Sequence, residues 1–324
     1  MNRFSAALCA VGLALLCACS SAKISSSSAA SSAAVVSSDV SSAAPQSEAS
    51  VSSAESAVSS GAAAPSSRTA SSRAPSSPAS AAPGQDSQPE TAKTVTLTFP
   101  EGFTLSQVGD RLEAHGVCKK ADFVKAAQTY DFSYYSLVKA VPSDPHRAYK
   151  LEGYLYPDTY ELYTNMKPQD AVGRFLRNAQ KKLAGYSYSG MTTDQVITLA
   201  SIIEREADDP DDMKKVSAVF HNRLKQGMIL QADSTRDYCN NYLIPVFGDQ
   251  YKYYYNTYPG RAKALPAGPI CNPGANALQA AANPADADYL YFATGTNHKY
   301  YYGKTQAERD AQMQADGVTP LYKD

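Results

Sequence analysis

Two glutamates near the end of one helical segment, Glu204 and Glu206, have the side chains and the spacing for proton transfer. They close the run Asp194-Gln-Val-Ile-Thr-Leu-Ala-Ser-Ile-Ile-Glu-Arg-Glu-Ala207, with Thr192 or Thr193 placed to cap it. Val196, Ala200, Ile203 and Ala207 form an apolar stripe at helical spacing, and Ser201, Arg205 and Asp208 take the opposite side. Each glutamate lies about 80° from the centre of the stripe, on opposite flanks. A carboxyl that borders an apolar core loses hydration, which raises its proton affinity above the ~4.3 of a free glutamate. A general acid working near neutral pH needs that shift. Periodicity fits a pair of flanking salt-bridge residues as well, and it does not choose between Glu204 and Glu206.

Other chemistries find less support. A cysteine hydrolase would need Cys271 with His298 or His221, yet Cys271 lies between Ile270 and Asn272-Pro273 without a nucleophile motif. The four histidines, His115, His146, His221 and His298, form no His-Glu-x-x-His pair, and no Cys-x-x-Cys accompanies them. No metal or cofactor is therefore expected. Thirty basic against 31 acidic residues give a net charge of −1, which argues against nucleic acid as a partner.

Thr94 to Thr98 alternates as a strand does, Pro100-Glu101-Gly102 is a turn, and Thr104 caps a helix closed by Gly116. Asp122 opens a second short helix. This strand, turn and helix pair resembles a LysM-like module, a type that often contacts glycan; a structural adaptor is the equal alternative. Helices are further expected from Pro168 to about Leu183, from about Met213 to Gln226 and from Ala275 to Ala282, with a strand at Tyr289 to Ala293. The segments around Leu230 to Thr235, Tyr255 to Tyr258 and Leu265 to Gly274 read as loops held in fixed shapes.

The chain begins with Arg3 and a short apolar run from Phe4 to Leu16, a secretory-signal pattern too short for the ~20 residues of a membrane span. Leu16-Cys17-Ala18-Cys19 resembles a lipobox, which implies cleavage before Cys19 and a diacylglyceryl anchor on its sulfur. Ser20 to Glu90 holds 27 Ser and 18 Ala and no aromatic residue, so a disordered tether is expected, with a reach of ~50 Å. Of the remaining Cys118, Cys239 and Cys271, the pair expected to bridge, if any does, is Cys239–Cys271.

Seven blocks in order resemble the MltG-type (YceG-like) endolytic murein transglycosylases. They are Leu151-Glu-Gly-Tyr-Leu-Tyr-Pro-Asp-Thr-Tyr160, Ala200-Ser-Ile-Ile-Glu-Arg-Glu206, Val219-Phe-His-Asn-Arg-Leu224, Gly227-Met-Ile-Leu-Gln-Ala-Asp233, Tyr255-Asn-Thr-Tyr258, Leu265 to Gly274, and Asn283-Pro-Ala followed by Tyr289-Leu-Tyr-Phe292. That family cleaves the bond between N-acetylmuramic acid and N-acetylglucosamine and leaves a 1,6-anhydromuramoyl end. The resemblance implies that Glu204 is the catalytic acid, which the helix wheel leaves open. It further implies substrate contacts from Glu152, Tyr156, Asp158, Gln231, Asp233, Asn256 and Tyr258, with Glu152 and Asp158 open between positioning, orienting Glu204 and a purely structural role. Implied partners are peptidoglycan strands, the membrane through the Cys19 lipid, and peptidoglycan synthases near the membrane.

Three departures matter. Asp233-Ser234-Thr235 stands where the family usually shows Asp-Pro-Thr, Glu308-Arg309-Asp310 where it often shows Glu-His-Asn, and the Cys19 lipobox where most members have a transmembrane anchor. The expected fold is α+β: a signal over 1–18, a lipidated tether over 19–92, a small LysM-like module over 93–147, and a mixed α/β YceG-like catalytic domain with an active-site helix over 148–324. The competing class is a non-catalytic, glycan-binding cell-wall lipoprotein that uses the module and the tyrosine-rich loops, Tyr251 and Tyr253 to Tyr255 among them.

Overall fold

The computed structural model describes residues 92–260 and 264–321. The signal-like segment, Cys19 and the Ser/Ala-rich stretch lie outside the described residues. No helix among those described is long and apolar enough to cross a membrane.

Strand β1 (Thr94–Phe99) leads into a capping box, in which Thr104 Oγ1 accepts from Gln107 N–H while Gln107 Oε1 accepts from Thr104 N–H. That box starts α1 (Leu105–Ala114), followed by α2 (Lys120–Thr129) and the single turn α3 (Ser136–Lys139). β1 then pairs antiparallel with β2 (Asp158–Tyr163), Thr94 opposite Tyr163 and Phe99 opposite Asp158. A lone strand would leave its peptide groups unpaired. The strand that satisfies β1 thus lies beyond residue 147. Next, α4 (Pro168–Lys182) turns Phe175 onto this sheet, its ring 4.9 Å from Phe99 and 4.4 Å from Tyr160.

The central helix is α5 (Thr193–Glu206), started by a second capping box between Thr192 and Gln195. It is buried on more than the expected stripe: Val196, Ile197, Leu199, Ala200, Ile202 and Ile203 are all fully covered. Ser201, expected on the solvated side, is also fully buried. The reason is a distant loop. Ile270 N–H donates to Ser201 Oγ at 3.0 Å, Ser201 Oγ donates to Thr198 O, and the Cys271 thiol donates to Ser201 O at 3.2 Å. Asp194, in the first turn, is buried against Arg147: Nη1 lies 2.9 Å from Oδ1 and 3.1 Å from Oδ2, and the Tyr154 hydroxyl adds a bond of 2.6 Å.

Helix α6 (Pro210–Lys225) begins at Asp209, whose carboxylate accepts from the N–H groups of Asp211 and Asp212. The stretch expected to be loop is instead a string of short helical turns: α7 (Asp233–Tyr238), a π-turn at Cys239–Leu243, α8 (Ile244–Phe247), a 3-10 turn at Asp249–Tyr251 and α9 (Lys252–Tyr255). Pieces of three to six residues are too short to express a 3.6-residue period. They are held by single large side chains such as Tyr238, Leu243 and Tyr255. Helix α10 (Ala275–Ala282) packs on α5 and α6 through buried Ala277, Ala280 and Ala281. A hairpin, β3 (Tyr291–Thr294) with β4 (Tyr300–Gly303), precedes α11 (Gln306–Ala315). The question left open for Cys239 and Cys271 is answered by two unbridged thiols. Both thiols are free and buried, and Cys118 is free as well. Each is held by its own packing, and Cys271 points at Ser201 O.

Candidate active site

Glu204 sits in the last turn of α5, half-buried, with Oε2 accepting from Gly274 N–H at 3.0 Å. Gly274 caps the start of α10, so one carboxyl is held between the end of one helix and the beginning of another. Among the described residues nothing donates to Oε1. Burial is the main cause that pushes this carboxyl up to about 7. The Gly274 bond opposes the rise, and the charges of Glu101 and Asp208 reinforce it. At that value the group carries a transferable proton near neutral pH and can take one back.

Glu206, two residues on, has a different environment. Its Oε1 accepts from Ser234 Oγ at 2.6 Å and from Ser234 N–H at 3.3 Å. Burial raises it to about 7 too, but these two donors tie it to the start of α7. Ser234 therefore anchors a half-buried acid.

The acidic block at 151–160 divides. Glu152 is 1% exposed, accepts from Leu105 N–H at 2.8 Å and from the Tyr238 hydroxyl at 2.9 Å, and is raised to about 7 by burial. It joins the first residue of α1 to α7 and offers no face to a ligand, so its contacts serve orientation of the fold. Asp158 is exposed at the start of β2, held below the usual carboxylate range by donors from Asn178 and Thr159. Tyr156 is mostly buried, with the Lys182 ammonium 5.8 Å from its ring centre.

The remaining expected contacts form a separate cluster. Gln231 is exposed and adopts a φ of +52°, a left-handed value that a non-glycine residue holds at a cost. Its N–H donates to Thr257 O at 3.1 Å. Asp233 Oδ1 accepts from the Tyr258 hydroxyl at 2.5 Å and lies 2.8 Å from Arg236 Nη2, and Asn256 Oδ1 accepts from Tyr258 N–H at 3.0 Å. Buried Thr257 links to Ala232 N–H and to Thr235 Oγ1, both at 3.0 Å. This clip meets α5 at Glu206 through Ser234, and among the described residues no hydrogen bond joins it to Glu204.

The tyrosines divide too. Tyr255 is buried, its hydroxyl accepting from Ala148 N–H. Tyr254 stacks on His146 at 3.8 Å, and Tyr253 is exposed. The alternative nucleophile is not built. Cys271 is fully buried, and burial holds its thiol well above the ordinary value. His221 bonds to Ala281 O instead.

Sequence reasoning missed Glu101 and the backbone role of Gly274. Pro100-Glu101-Gly102 was legible only as a turn. Gly102 N–H donates to Asn272 O at 3.0 Å, Asn272 N–H donates to Phe103 O at 2.8 Å, and Asn272 Nδ2 donates to the same oxygen. Gly102 has a φ of +76°, which lets the turn reverse there. The strap brings Glu101 against Gly274, on the side of Glu204.

A sequence profile of the YceG-like family matches residues 78–315. The chain belongs to the YceG-like family. A protein named endolytic murein transglycosylase from Streptococcus pneumoniae (serotype 2, strain D39) is 30% identical over 256 residues, covering 71% of this chain and 46% of that protein. One of the same name from Bacillus subtilis (strain 168) is 32% identical over 172 residues, covering 49% of this chain and 46% of that protein. The chain thus spans about half the length of these YceG-like relatives. A crystal structure of a YceG-like protein from Listeria monocytogenes is 33% identical, with a TM-score of 0.57, over 67% of this chain and 75% of that one. The mixed α/β architecture around α5 is that of the family.

Proposed function

We propose that this chain is an endolytic lytic transglycosylase of peptidoglycan, cutting the N-acetylmuramoyl–N-acetylglucosamine bond with Glu204 as its acid and then its base. The observation that carries this reading is the half-buried Glu204 carboxyl, raised to about 7, with one oxygen fixed by Gly274 N–H and the other open. The protonated acid gives its proton to the glycosidic oxygen as the C1–O bond breaks. The resulting carboxylate takes the proton from the muramoyl C6 hydroxyl as O6 bonds to C1, so no water enters and the acid is regenerated. The substrate's own N-acetyl oxygen can steady the positive charge at C1, so the covalent nucleophile of retaining glycosidases is not needed. A protein that only held glycan would have no use for a desolvated acid with an open oxygen.

The proposal extends to the Gln231, Asp233, Asn256 and Tyr258 clip as a glycan contact, to the β1–α2 segment as a LysM-like glycan-contacting module, and to peptidoglycan synthases as neighbours. It places the chain at the extracytoplasmic face of the membrane, held by a lipid on Cys19. Digestion of purified peptidoglycan should release fragments with 1,6-anhydromuramoyl ends, read by mass spectrometry. Reducing muramoyl ends, or no cleavage, would overturn the reaction type. The pH–rate profile should fall on its alkaline side near pH 7, where Glu204 loses its proton. A limb below pH 5 would contradict the desolvated acid.

Cys19→Ala should move the protein from the membrane fraction to the soluble fraction, because acylation needs the cysteine sulfur. Fractionation followed by immunoblotting reads this, and membrane retention of the processed variant would remove the lipid anchor from the proposal.

A further inference from the structure

We infer that Glu101 is a second acid of the same cleft, a positioning residue whose carboxylate acts on Glu204 across the bare α-carbon of Gly274. The inference rests on the proposed role of Glu204 and deepens it. The geometry is specific. A β-carbon added to Gly274 would sit 1.8 Å from Glu101 Oε1 and 2.0 Å from its Cδ. The Glu101 carboxyl therefore occupies the space that any larger residue at 274 would fill. On the other side, Gly274 N–H holds Glu204 Oε2 at 3.0 Å. Standard bond lengths through Gly274 put the two carboxyl groups no more than about 8 Å apart.

The backbone that carries Glu101 is fixed. The turn carrying Glu101 is tied to the 272–274 segment by the paired Gly102–Asn272 and Asn272–Phe103 bonds, and Asn272 Oδ1 accepts from Leu155 N–H at 2.8 Å. Glu101 itself is exposed, and among the described residues it takes part in no hydrogen bond or ion pair.

An anion in that place disfavours ionisation of Glu204, so Glu204 stays protonated to a higher pH and remains competent as an acid. The other charged and titratable groups around Glu204 are Arg205 on α5 itself, which opposes this, Asp208 just beyond α5, which adds to it, and the Cys271 thiol on the covering loop. Only Glu101 comes from the β1–α1 turn, and only its approach depends on glycine at 274.

The test uses the full chain and peptidoglycan, with pH profiles of kcat/KM for wild type, Glu101→Gln, Glu101→Asp and Gly274→Ala. Glu101→Gln should move the alkaline limb to lower pH by about 0.5 unit or more. The charge-conserving Glu101→Asp should keep most of the wild-type position. Gly274→Ala should shift the limb in the same direction as Glu101→Gln, because the new methyl displaces the carboxyl while leaving the N–H in place. The wild-type-to-Gln difference should shrink in 1 M salt, where charges are screened within about 3 Å. Titration of the Glu204 carboxyl carbon by NMR gives the same comparison for any variant without turnover. An unmoved midpoint in Glu101→Gln, or equal shifts in Gln and Asp, would overturn the inference. Full activity in Glu204→Gln would instead overturn the proposed function beneath it.

Discussion

Glu204→Gln should lower formation of anhydro ends by about 100-fold or more while the protein folds normally. The amide keeps the shape of the side chain. Its oxygen can still accept from Gly274 N–H, the 3.0 Å bond that fixes the native carboxyl. What is lost, on the proposed mechanism, is the proton that the leaving oxygen needs and the base that the C6 hydroxyl needs. The two other raised carboxyls nearby are already engaged, Glu206 by Ser234 and Glu152 by Leu105 and Tyr238. Product analysis with a denaturation curve on the same sample separates chemistry from folding. If Glu204→Gln kept its activity while Glu152→Gln or Asp158→Asn abolished it, the acid would lie in the Leu151–Tyr160 block instead.

The second large effect concerns stability. Asp194→Ala should destabilise the fold by about 3–5 kcal/mol, because it strands the Arg147 guanidinium in the interior. Arg147 and Asp194 side chains are 3% and 9% exposed. Removing the carboxylate also leaves the Tyr154 hydroxyl without its 2.6 Å acceptor. The effect belongs to α5 as a whole, since Asp194 lies in its first turn and its charge also suits the helix N-terminus. Denaturant unfolding measures it. A change under about 1 kcal/mol would mean that water reaches Arg147 freely.

Local signals were legible wherever one segment contained its own explanation. Thr104 was legible as a cap and Thr192 as one of two adjacent candidates; the structure starts both helices with capping boxes that use Gln107 and Gln195. The alanine-rich run at 275–282 carries its own period and appears at those bounds. The desolvation of Glu204 was legible from its angle on the helix, and the choice over Glu206 came from family resemblance, since both sit at similar angles and both are raised to about 7. What separates them is Ser234, a neighbour 28 residues from Glu206 that no wheel displays. Ser201 failed for a related reason: a polar residue on a helix reads as solvated until a loop about 70 residues later supplies its partners. Glu101 lay further out of reach, because its meaning depends on a glycine at 274 and a strap to Asn272.

That strap has a consequence for the order in which the molecule can come into being. Phe103 and Asn272 are 169 positions apart, so the ribosome must deliver nearly the whole domain before the first can meet the second. A chain halted between Ala207 and Gly274 would contain α5 and Glu204 yet lack the amide that holds the acid and the wall that Glu101 rests against. Loop closure over such a span is among the slowest contacts a domain makes. The pairing of Glu204 with Gly274 is therefore completed late, and on the proposed function a fragment that stops before Gly274 should form no anhydro ends.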